Sequence, residues 1–327
     1  MTLFLDRRGA LAFVAALTAS LSLFSGVASA QTAAKPAEVR IGFQKYGTLT
    51  VLKAKGDLEK RLSAQGIAVK WTEFPAGPQL LEGLNVGSID FGTVGEAPPI
   101  FAQAAGADLV YVANQPPAPT AEALIVPKDS PIKTLADLKG KKVVLNKGSN
   151  VHYLLVKLLE KQGLKYTDIN VVYLPPADAR AAFERGAVDA WVIWDPFLAA
   201  AERQLGARVV ADGKGVVANH QFYLAERGYA EKYPQVVQAI IEELAKLDRW
   251  SENNSAAVAA LLAPQIGLDL ATTEVAAARF AYGIQPITPA IAAEQQKIAD
   301  AFHALKLIPK PIRIADALPK SVRTAAK

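Results

Sequence analysis

Two stretches of this chain, 99 positions apart, are built on the same plan. Each predicts a helix that ends at glycine, a short apolar strand, and a turn into a helix that starts at proline. In open α/β sheets, ligands bind beyond the carboxyl ends of the strands, where such turns lie. The repeat therefore predicts two α/β lobes that present similar loops to one shared cleft. The equivalent positions are Gly87 and Gly186, Asp90 and Asp189, and Glu96 and Asp195.

The first 30 residues have the composition of a secretory signal peptide. Arg7 and Arg8 precede an apolar run from Gly9 to Val27, and Ala28-Ser29-Ala30 forms a small-x-small cleavage site. A single membrane anchor is the alternative, because the apolar run approaches the length that spans a bilayer. The polar spacer that follows favours cleavage. We therefore expect residues 1–30 to be removed and the mature protein to reside in the periplasm, with export by the general or the twin-arginine route left open.

The composition of the remaining 297 residues excludes several classes of function. They carry 34 Lys plus Arg against 30 Asp plus Glu, a balance too mild to indicate binding to nucleic acid or to a membrane surface. Their length suits two domains. The chain has no cysteine, which excludes disulfides, thiolate metal sites and a cysteine nucleophile. We expect a soluble monomer.

The order of predicted strands and helices indicates where the two lobes begin and end. Strands that alternate with helices of this length predict parallel βαβ units up to about residue 224, followed by a helical C-terminal part. Lobe one is predicted to comprise residues 37–124 plus 223–327, and lobe two residues 125–222. The chain would cross near Ala123–Val126 and near Gln221–Leu224. Two crossings form a hinge, and closure about a hinge can trap a small solute.

No motif for catalysis or for a cofactor is found. The sequence has no phosphate loop, dinucleotide fingerprint, GxSxG elbow, HExxH or calcium loop. Its three histidines, His152, His220 and His303, lack the spacing of metal ligands. His152 is predicted to be solvated or to cap a helix, and His303 to lie on the surface. We expect a binding protein that is not an enzyme and needs neither a metal nor a cofactor.

Several blocks of sequence resemble the periplasmic aliphatic sulfonate-binding proteins of the ABC-importer nitrate/sulfonate/taurine group. They include VRIGFQKYGTLTVLKA, WTEFPAGPQLLEGLNVGSIDFGTVGEAPPIFAQAAGADLVYV, SPIKTLADLKGKKVVLNKGSN, YLPPADARAAFERGAVDAWVIWDPFLAAA and FYLAERGYAEKYP. The resemblance covers most of the mature chain and weakens after about residue 250. It implies the two-lobed type II fold, each lobe a mainly parallel sheet with flanking helices, and two hinge crossovers. It also implies delivery of an organic sulfonate to a permease and an ATPase. The chain departs from the usual pattern at Glu96-Ala97 and at Asn146, in the pocket loops.

A sulfonate stays anionic at physiological pH, so its site needs donors rather than a titrating partner. Helix N-termini supply unpaired N–H groups and a positive dipole end. Three such termini are predicted at the cleft, after Gly95, after Gly148-Ser149 and after Asp195. Aromatic side chains would form an apolar wall for the alkyl tail. The predicted ligand-binding residues are Gln44, Gly47, Thr48, Phe74, Gly95, Glu96, Gly148, Ser149, Asn150, Trp194, Asp195 and Tyr223.

Alternatives remain open at this stage. Asp195 either caps the helix after Pro196 or pairs with a ligand amine such as that of taurine, and Glu96 poses the same choice. Ser149 and Asn150 can cap a helix, contact the ligand, or do both. Gln44 can brace a loop, and Phe74 can belong to the core. For Asp90 and Asp189 we expect turn-bracing roles, and for Trp191 a place in the core. The rival ligands are taurine, nitrate, a sulfate ester and a pyrimidine precursor of thiamine.

Overall fold

The computed structural model describes residues 35–320 and residue 322. The predicted signal peptide, residues 1–30, lies outside the described residues. Within them, no single helix is both long and apolar enough to cross a membrane, although α10 (Ser255–Ile266) and α11 (Leu270–Ala277), a pair bent by 119°, meet that criterion together.

The described part of the chain forms eleven strands and twelve α-helices. The strands are β1 (Glu38–Phe43), β2 (Ala68–Glu73), β3 (Phe91–Gly95), β4 (Leu109–Asn114), β5 (Glu122–Val126), β6 (Lys142–Leu145), β7 (Asn170–Tyr173), β8 (Ala190–Trp194), β9 (Arg208–Asp212), β10 (Gln221–Glu226) and β11 (Gln285–Pro286). The helices up to the second crossing are α1 (Gly47–Lys55), α2 (Asp57–Ser63), α3 (Gly77–Asn85), α4 (Pro98–Ala104), α5 (Asn150–Gln162), α6 (Pro176–Glu184) and α7 (Phe197–Leu205). The remaining helices are α8 (Arg227–Lys232), α9 (Pro234–Ser251), α10, α11 and α12 (Pro289–Ala304).

The strands form two sheets with the same internal order. The first has the order β11-β4-β10-β3-β1-β2, and the second has the order β7-β6-β8-β5-β9. In both, three consecutive βα units are parallel, and the strand that follows a crossing, β10 or β5, is inserted antiparallel. The match extends to the sequence repeat, because β3 and β8 occupy equivalent places. This is the predicted two-lobed α/β architecture.

The repeated glycine and aspartate positions have the same local roles in both sheets. Gly87 and Gly186 follow α3 and α6 with φ of 69° and 67°, a left-handed conformation that glycine adopts at least cost. The carboxylate of Asp90 accepts the backbone N–H of Arg40 at 2.8 Å, and that of Asp189 accepts the N–H of Lys142 at 2.7 Å. Each aspartate thus ties the start of its strand to the neighbouring parallel strand, which confirms the turn-bracing prediction.

The two segments that connect the sheets run side by side. The N–H of Gln115 donates to the carbonyl of Gln221 at 2.8 Å, and Ala118 donates to Ala218 at 3.1 Å. The predicted crossings near Ala123–Val126 and Gln221–Leu224 coincide with β5 and β10, so the connecting segments come just before these strands. Two adjacent connecting segments of this kind are typical of a hinge about which one lobe rotates against the other.

The single-residue predictions for Trp191, His303 and His152 can be compared with the structure. Trp191 is fully buried among Leu, Ile and Val side chains, as predicted, and His303 is exposed. The predicted ligand residues Gly47 and Thr48 lie in the first turn of α1. Thr134 and Asp137 form a capping box at the start of a 3-10 turn, Leu135–Leu138, and Gly140 follows closely with a positive φ. His152 is buried rather than solvated.

Candidate functional site

A cavity lies where the carboxyl ends of both sheets face each other. Its walls come from the turns after β1, β2, β3 and β8, from the start of α5, from both connecting segments and from the segment after α11. The cleft between two lobes is a common place for a small-molecule site. The lining residues are Gln44, Tyr46, Gly47, Thr48, Gly77, Gly95, Pro98, Gln115, Pro116, Ala118, Ala121, Asn150, Trp194, Asp195, Asn219, Gln221, Phe280 and Ala281.

Three helices open into the cavity with their N-termini. They are α1 at Gly47, α3 at Gly77 and α5 at Asn150, and none has a side-chain cap. The first N–H groups of a helix have no partner within it and carry the positive end of its dipole. These ends therefore give the cavity donors for an anion without any cationic side chain.

The three predicted helix ends differ in the donors that they offer. The end after Gly148-Ser149 is the N-terminus of α5, as predicted. The helix after Gly95 starts with Pro98 and Pro99, which have no N–H, and Ile100 donates to the carbonyl of Ala97. In the helix after Asp195, the Ala199 N–H is already taken by the Asp195 carboxylate at 2.9 Å. The α1 and α3 ends line the cavity as well.

Neutral polar side chains line the wall on the α1 side. The Gln44 amide donates to the carbonyl of Thr93 at 3.1 Å, so it braces the turn while it lines the cavity. Gln115 donates to the hydroxyl of Thr48 at 2.8 Å, and Thr48 donates to the buried carboxylate of Asp248 at 2.9 Å. Asp248 also accepts the N–H groups of Gly283 and Ile284. This network fixes the segment after α11 against α1.

The apolar wall consists of Trp194, Tyr46 and Phe280. The rings of Tyr46 and Phe280 lie 6.4 Å apart, and the Tyr46 hydroxyl donates to Gln221 at 2.5 Å. Of the predicted aromatic set, only Trp194 lines the cavity. Phe74 packs under Gly42 and Gly83, and Tyr223 is buried and stacked on Phe91 at 6.1 Å. Tyr223 therefore lies in the interior, and Phe74 is partly buried against the core of its lobe.

Asp195 is the one charged residue among the described residues that line the cavity. One carboxylate oxygen accepts the Ala199 N–H, and the other faces Arg279 at 3.4 Å. Burial raises the pKa of Asp195 from 3.8 to about 7, although Arg279 opposes that rise. The Asp195 carboxylate is thus engaged by groups of the protein on both oxygens.

Glu96, the counterpart of Asp195 in the repeat, lies behind the cavity wall. Its carboxylate accepts the N–H of His220 at 3.1 Å, and burial raises its pKa to about 7. A second buried acid, Glu122, accepts from the Asn150 amide, and burial together with the charge of Glu96 raises its pKa well above the ordinary value. Asn150 also donates to Asn219 at 3.1 Å. Two buried acids therefore meet beneath the connecting segments.

Seven of the twelve predicted ligand-binding residues line the cavity. They are Gln44, Gly47, Thr48, Gly95, Asn150, Trp194 and Asp195. Among the other five, Ser149 occupies the N-cap position of α5 but donates its hydroxyl to the carbonyl of Asn146, and the Gly148 N–H donates to the ring of His152. Glu96, Phe74 and Tyr223 are placed as described above. Whether any of the twelve contacts a ligand stays a prediction.

The sequence analysis missed several lining residues. Tyr46 lies between Gln44 and Gly47 and could have been found from that position. Gly77 and Gln115 follow strands β2 and β4, and the rule that ligands lie beyond strand ends points to both. Phe280 and Ala281 come from the helical C-terminal part, and no pattern in the sequence points to them. Within the described residues, no group of three or more His, Cys, Asp or Glu side chains could hold a metal ion.

The fold and the site define a two-lobed solute-binding protein: two matched α/β lobes are joined by two adjacent connecting segments, and helix N-termini line the cavity between them. Residues 62–246 match the model of the NMT1/THI5-like family. The chain is 47% identical to an aliphatic sulfonates-binding protein of Escherichia coli over 302 residues, which covers 91% of this chain and 93% of that protein. It belongs to the NMT1/THI5-like family, among its aliphatic sulfonate-binding members.

Solved structures agree with this assignment. The alkanesulfonate-binding protein SsuA from Xanthomonas axonopodis pv. citri, bound to MOPS, is 45% identical with a TM-score of 0.84, covering 88% of this chain and 99% of that chain. The periplasmic aliphatic sulphonate binding protein SsuA from Escherichia coli is 46% identical with a TM-score of 0.79, covering 88% of this chain and 93% of that one. These relatives are named as binding proteins, not as enzymes.

Proposed function

We propose that this protein is the periplasmic solute-binding component of an ABC importer and that its ligand is an aliphatic sulfonate. The observation that carries the proposal is a cavity with three uncapped helix N-termini and an aromatic wall, in which no described lining residue is lysine or arginine. A sulfonate group matches the donors, and an alkyl tail matches the wall. The partners would be a membrane permease and an ATPase.

The energies are compatible with this role. A hydrogen bond to a charged group contributes about 1.5–3 kcal/mol net, and micromolar affinity needs roughly 8 kcal/mol. Four to six donors with some burial of the tail reach that value after the cost of closing the lobes. Backbone donors bind every sulfonate alike, so selectivity among sulfonates would rest on the tail.

The proposed ligand site consists of the seven cavity-lining residues of the sequence prediction together with Tyr46, Gly77, Gln115 and Phe280. The proposed lobes are residues 37–124 plus 223–327 and residues 125–222, and the protein would act as a monomer. Light scattering coupled to size exclusion, with and without ligand, tests the monomer.

Titration calorimetry tests the ligand class. The chain from Gln31 onward is titrated with alkanesulfonates of increasing length, MOPS, taurine, sulfate and nitrate. We expect micromolar binding of alkanesulfonates and at least tenfold weaker binding of nitrate, which has no tail. Ligand at 100 times Kd would add about 2.7 kcal/mol to the free energy of unfolding, visible as a higher Tm. Binding of nitrate or sulfate without any sulfonate would overturn the proposal.

A further inference from the structure

The negative charge of Asp195 is unfavourable in a site that binds an anion. Its carboxylate is 2% exposed and belongs to the cavity wall directly after β8. An unpaired carboxylate there would repel a sulfonate, and in a poorly solvated cavity that repulsion is only weakly screened. Something must offset this charge whenever ligand is bound.

Arg279 meets that need from a distant part of the chain. Its guanidinium lies 3.4 Å from the carboxylate of Asp195 and 2.7 Å from that of Glu202 on α7. Arg279 follows α11, which packs against α7. Its side chain is 23% exposed, so the charge is largely withdrawn from water.

The next two residues in the chain, Phe280 and Ala281, line the cavity. Arg279 therefore holds one wall of the cavity, carried by the C-terminal helical part, against the turn after β8 on the other sheet. The same contact neutralises Asp195 and fixes the position of the aromatic wall.

We propose that Arg279 is a positioning residue of the anion site: it offsets the charge of Asp195 and anchors the 279–281 segment across the cleft, so that the cavity accepts a sulfonate. This inference rests on the proposed function. Arg279 does not itself line the cavity, and its effect on ligand passes through Asp195 and through Phe280.

The test compares Arg279→Gln, Asp195→Asn and the double variant by calorimetry with 1-pentanesulfonate at pH 8.5, above the pKa of about 7 that Asp195 has in wild type, so that the carboxylate form is favoured. We expect Arg279→Gln to raise Kd at least tenfold, because a buried carboxylate is left unpaired beside the anion. In the double variant Kd should recover at least threefold from that of Arg279→Gln, since the asparagine oxygen still accepts the Ala199 N–H and carries no charge. The loss that remains relative to wild type measures the anchoring of the 279–281 segment, which the asparagine does not restore. Arg279→Lys should fall between wild type and Arg279→Gln.

The pH dependence of Kd distinguishes a charge effect of Arg279→Gln from a simple loss of side-chain packing. The charged groups that act on the Asp195 carboxyl are Arg279, which lowers its pKa, and Glu202, which raises it, while burial has the largest effect. Lowering the pH from 8.5 to 5.5 protonates Asp195 in Arg279→Gln and removes the repulsion. The ratio of variant Kd to wild-type Kd should therefore shrink as the pH falls, since the sulfonate does not titrate.

Arg61→Gln is the matched control. Arg61 also bridges two carboxylates, those of Glu242 and Glu243, but does not line the cavity. Its loss should leave Kd unchanged. An Arg279→Gln protein that binds like wild type, or a double variant that stays as weak as the single one, overturns the inference. If Arg279→Gln does not fold, Arg279→Lys and the double variant decide it by the same criterion. If wild type binds no sulfonate, the proposed function has failed instead.

Discussion

The side-chain amide of Asn150, at the first turn of α5 and in the cavity wall, donates to the fully buried carboxylate of Glu122 on β5. The same amide nitrogen donates to Asn219 in the second connecting segment at 3.1 Å. Glu122 has no charged partner that lowers its pKa, and the neighbouring charge of Glu96 raises it further. A residue that lines the proposed ligand site is thus coupled to a pair of buried acids at the crossing between the lobes.

The buried acids predict that the folded protein is more stable in mild acid. Burial raises the pKa of Glu96 from 4.5 to about 7, so the folded state binds a proton that the unfolded state releases between these values. This stabilisation is fully present below pH 4.5 and is lost as the pH rises through 7. At about 1.4 kcal/mol per pH unit, Glu96 contributes on the order of 3 kcal/mol to that loss. Denaturant unfolding at pH 5 and pH 8 measures it.

Glu96→Gln is the variant that isolates this effect. It keeps an acceptor for the His220 N–H but cannot ionise, so we expect the difference in unfolding free energy between pH 5 and pH 8 to shrink. Glu274→Gln, an exposed change on α11, should leave that difference as in wild type. An equal pH dependence in Glu96→Gln and wild type would show that Glu96 is ionised in the folded protein at both pH values.

Asn150→Asp tests whether the donor at the start of α5 serves the anion. The change is nearly isosteric but replaces a donor with a third carboxylate beside Glu122, Glu96 and the cavity. Both hydrogens of the Asn150 amide are already donated, to Glu122 and to Asn219. We therefore expect Kd for an alkanesulfonate to rise by at least tenfold because a repulsive charge is gained at the N-terminus of α5. Calorimetry at pH 7.5 measures the change, with Asn170→Asp on the edge strand β7 as the control. Unchanged affinity would remove Asn150 from the site.

Phe280→Ala tests the aromatic wall. Each buried methylene contributes about 0.8 kcal/mol, roughly a fourfold gain in affinity per carbon added to the tail. We expect wild type to show this increase from ethane- to pentanesulfonate, and Phe280→Ala to lose much of it while it still binds the shortest ligand. Phe74→Leu should lower stability but keep the chain-length dependence, because Phe74 lies outside the cavity. Equal slopes in Phe280→Ala and wild type would contradict a tail-binding role.

The sequence was sufficient to predict the features that occur in both lobes, but not the long-range contacts between distant parts of the chain. The roles of the repeated glycines and aspartates could be assigned because each role is local to one βα unit and the same pattern occurs in both lobes. These residues are Gly87 and Gly186, and Asp90 and Asp189. Glu96 and Asp195 look equivalent in the sequence, yet only Asp195 reaches the cavity. That difference depends on Arg279 and on His220, which lie 84 and 124 residues away along the chain. No periodicity or spacing encodes such contacts.

The aromatic wall was missed for the same reason. Tyr223 has the apolar, strand-end position expected of a wall residue, but β10 lies between β3 and β4 and its side chain turns into the core. Phe280 reaches the cavity because Asp248 and Arg279 hold the segment after α11, and both contacts are long-range. Predictions based on strand ends therefore located the cleft but not the whole of its lining.

Gly95→Ala tests how closely the two lobes must approach for binding. A Cβ at Gly95 would lie 2.9 Å from the Cβ of Asn150, too close for two carbon atoms, across the junction between β3 and α5. We expect this variant to fold but to close incompletely, with Kd raised at least tenfold and a larger radius of gyration in saturating ligand by small-angle scattering. The clash arises between the two sides of the cleft, so the open form should tolerate it.

Gly87→Ala is the contrasting change, because it affects folding without affecting closure. A Cβ there meets no atom within 4 Å, but the φ of 69° disfavours alanine. We expect a loss of about 1 kcal/mol in unfolding free energy and an unchanged Kd. If Gly95→Ala instead lowered stability like Gly87→Ala and left Kd alone, the contact between Gly95 and Asn150 would be a fixed part of the fold. Closure about the connecting segments would then have to occur elsewhere in the cleft.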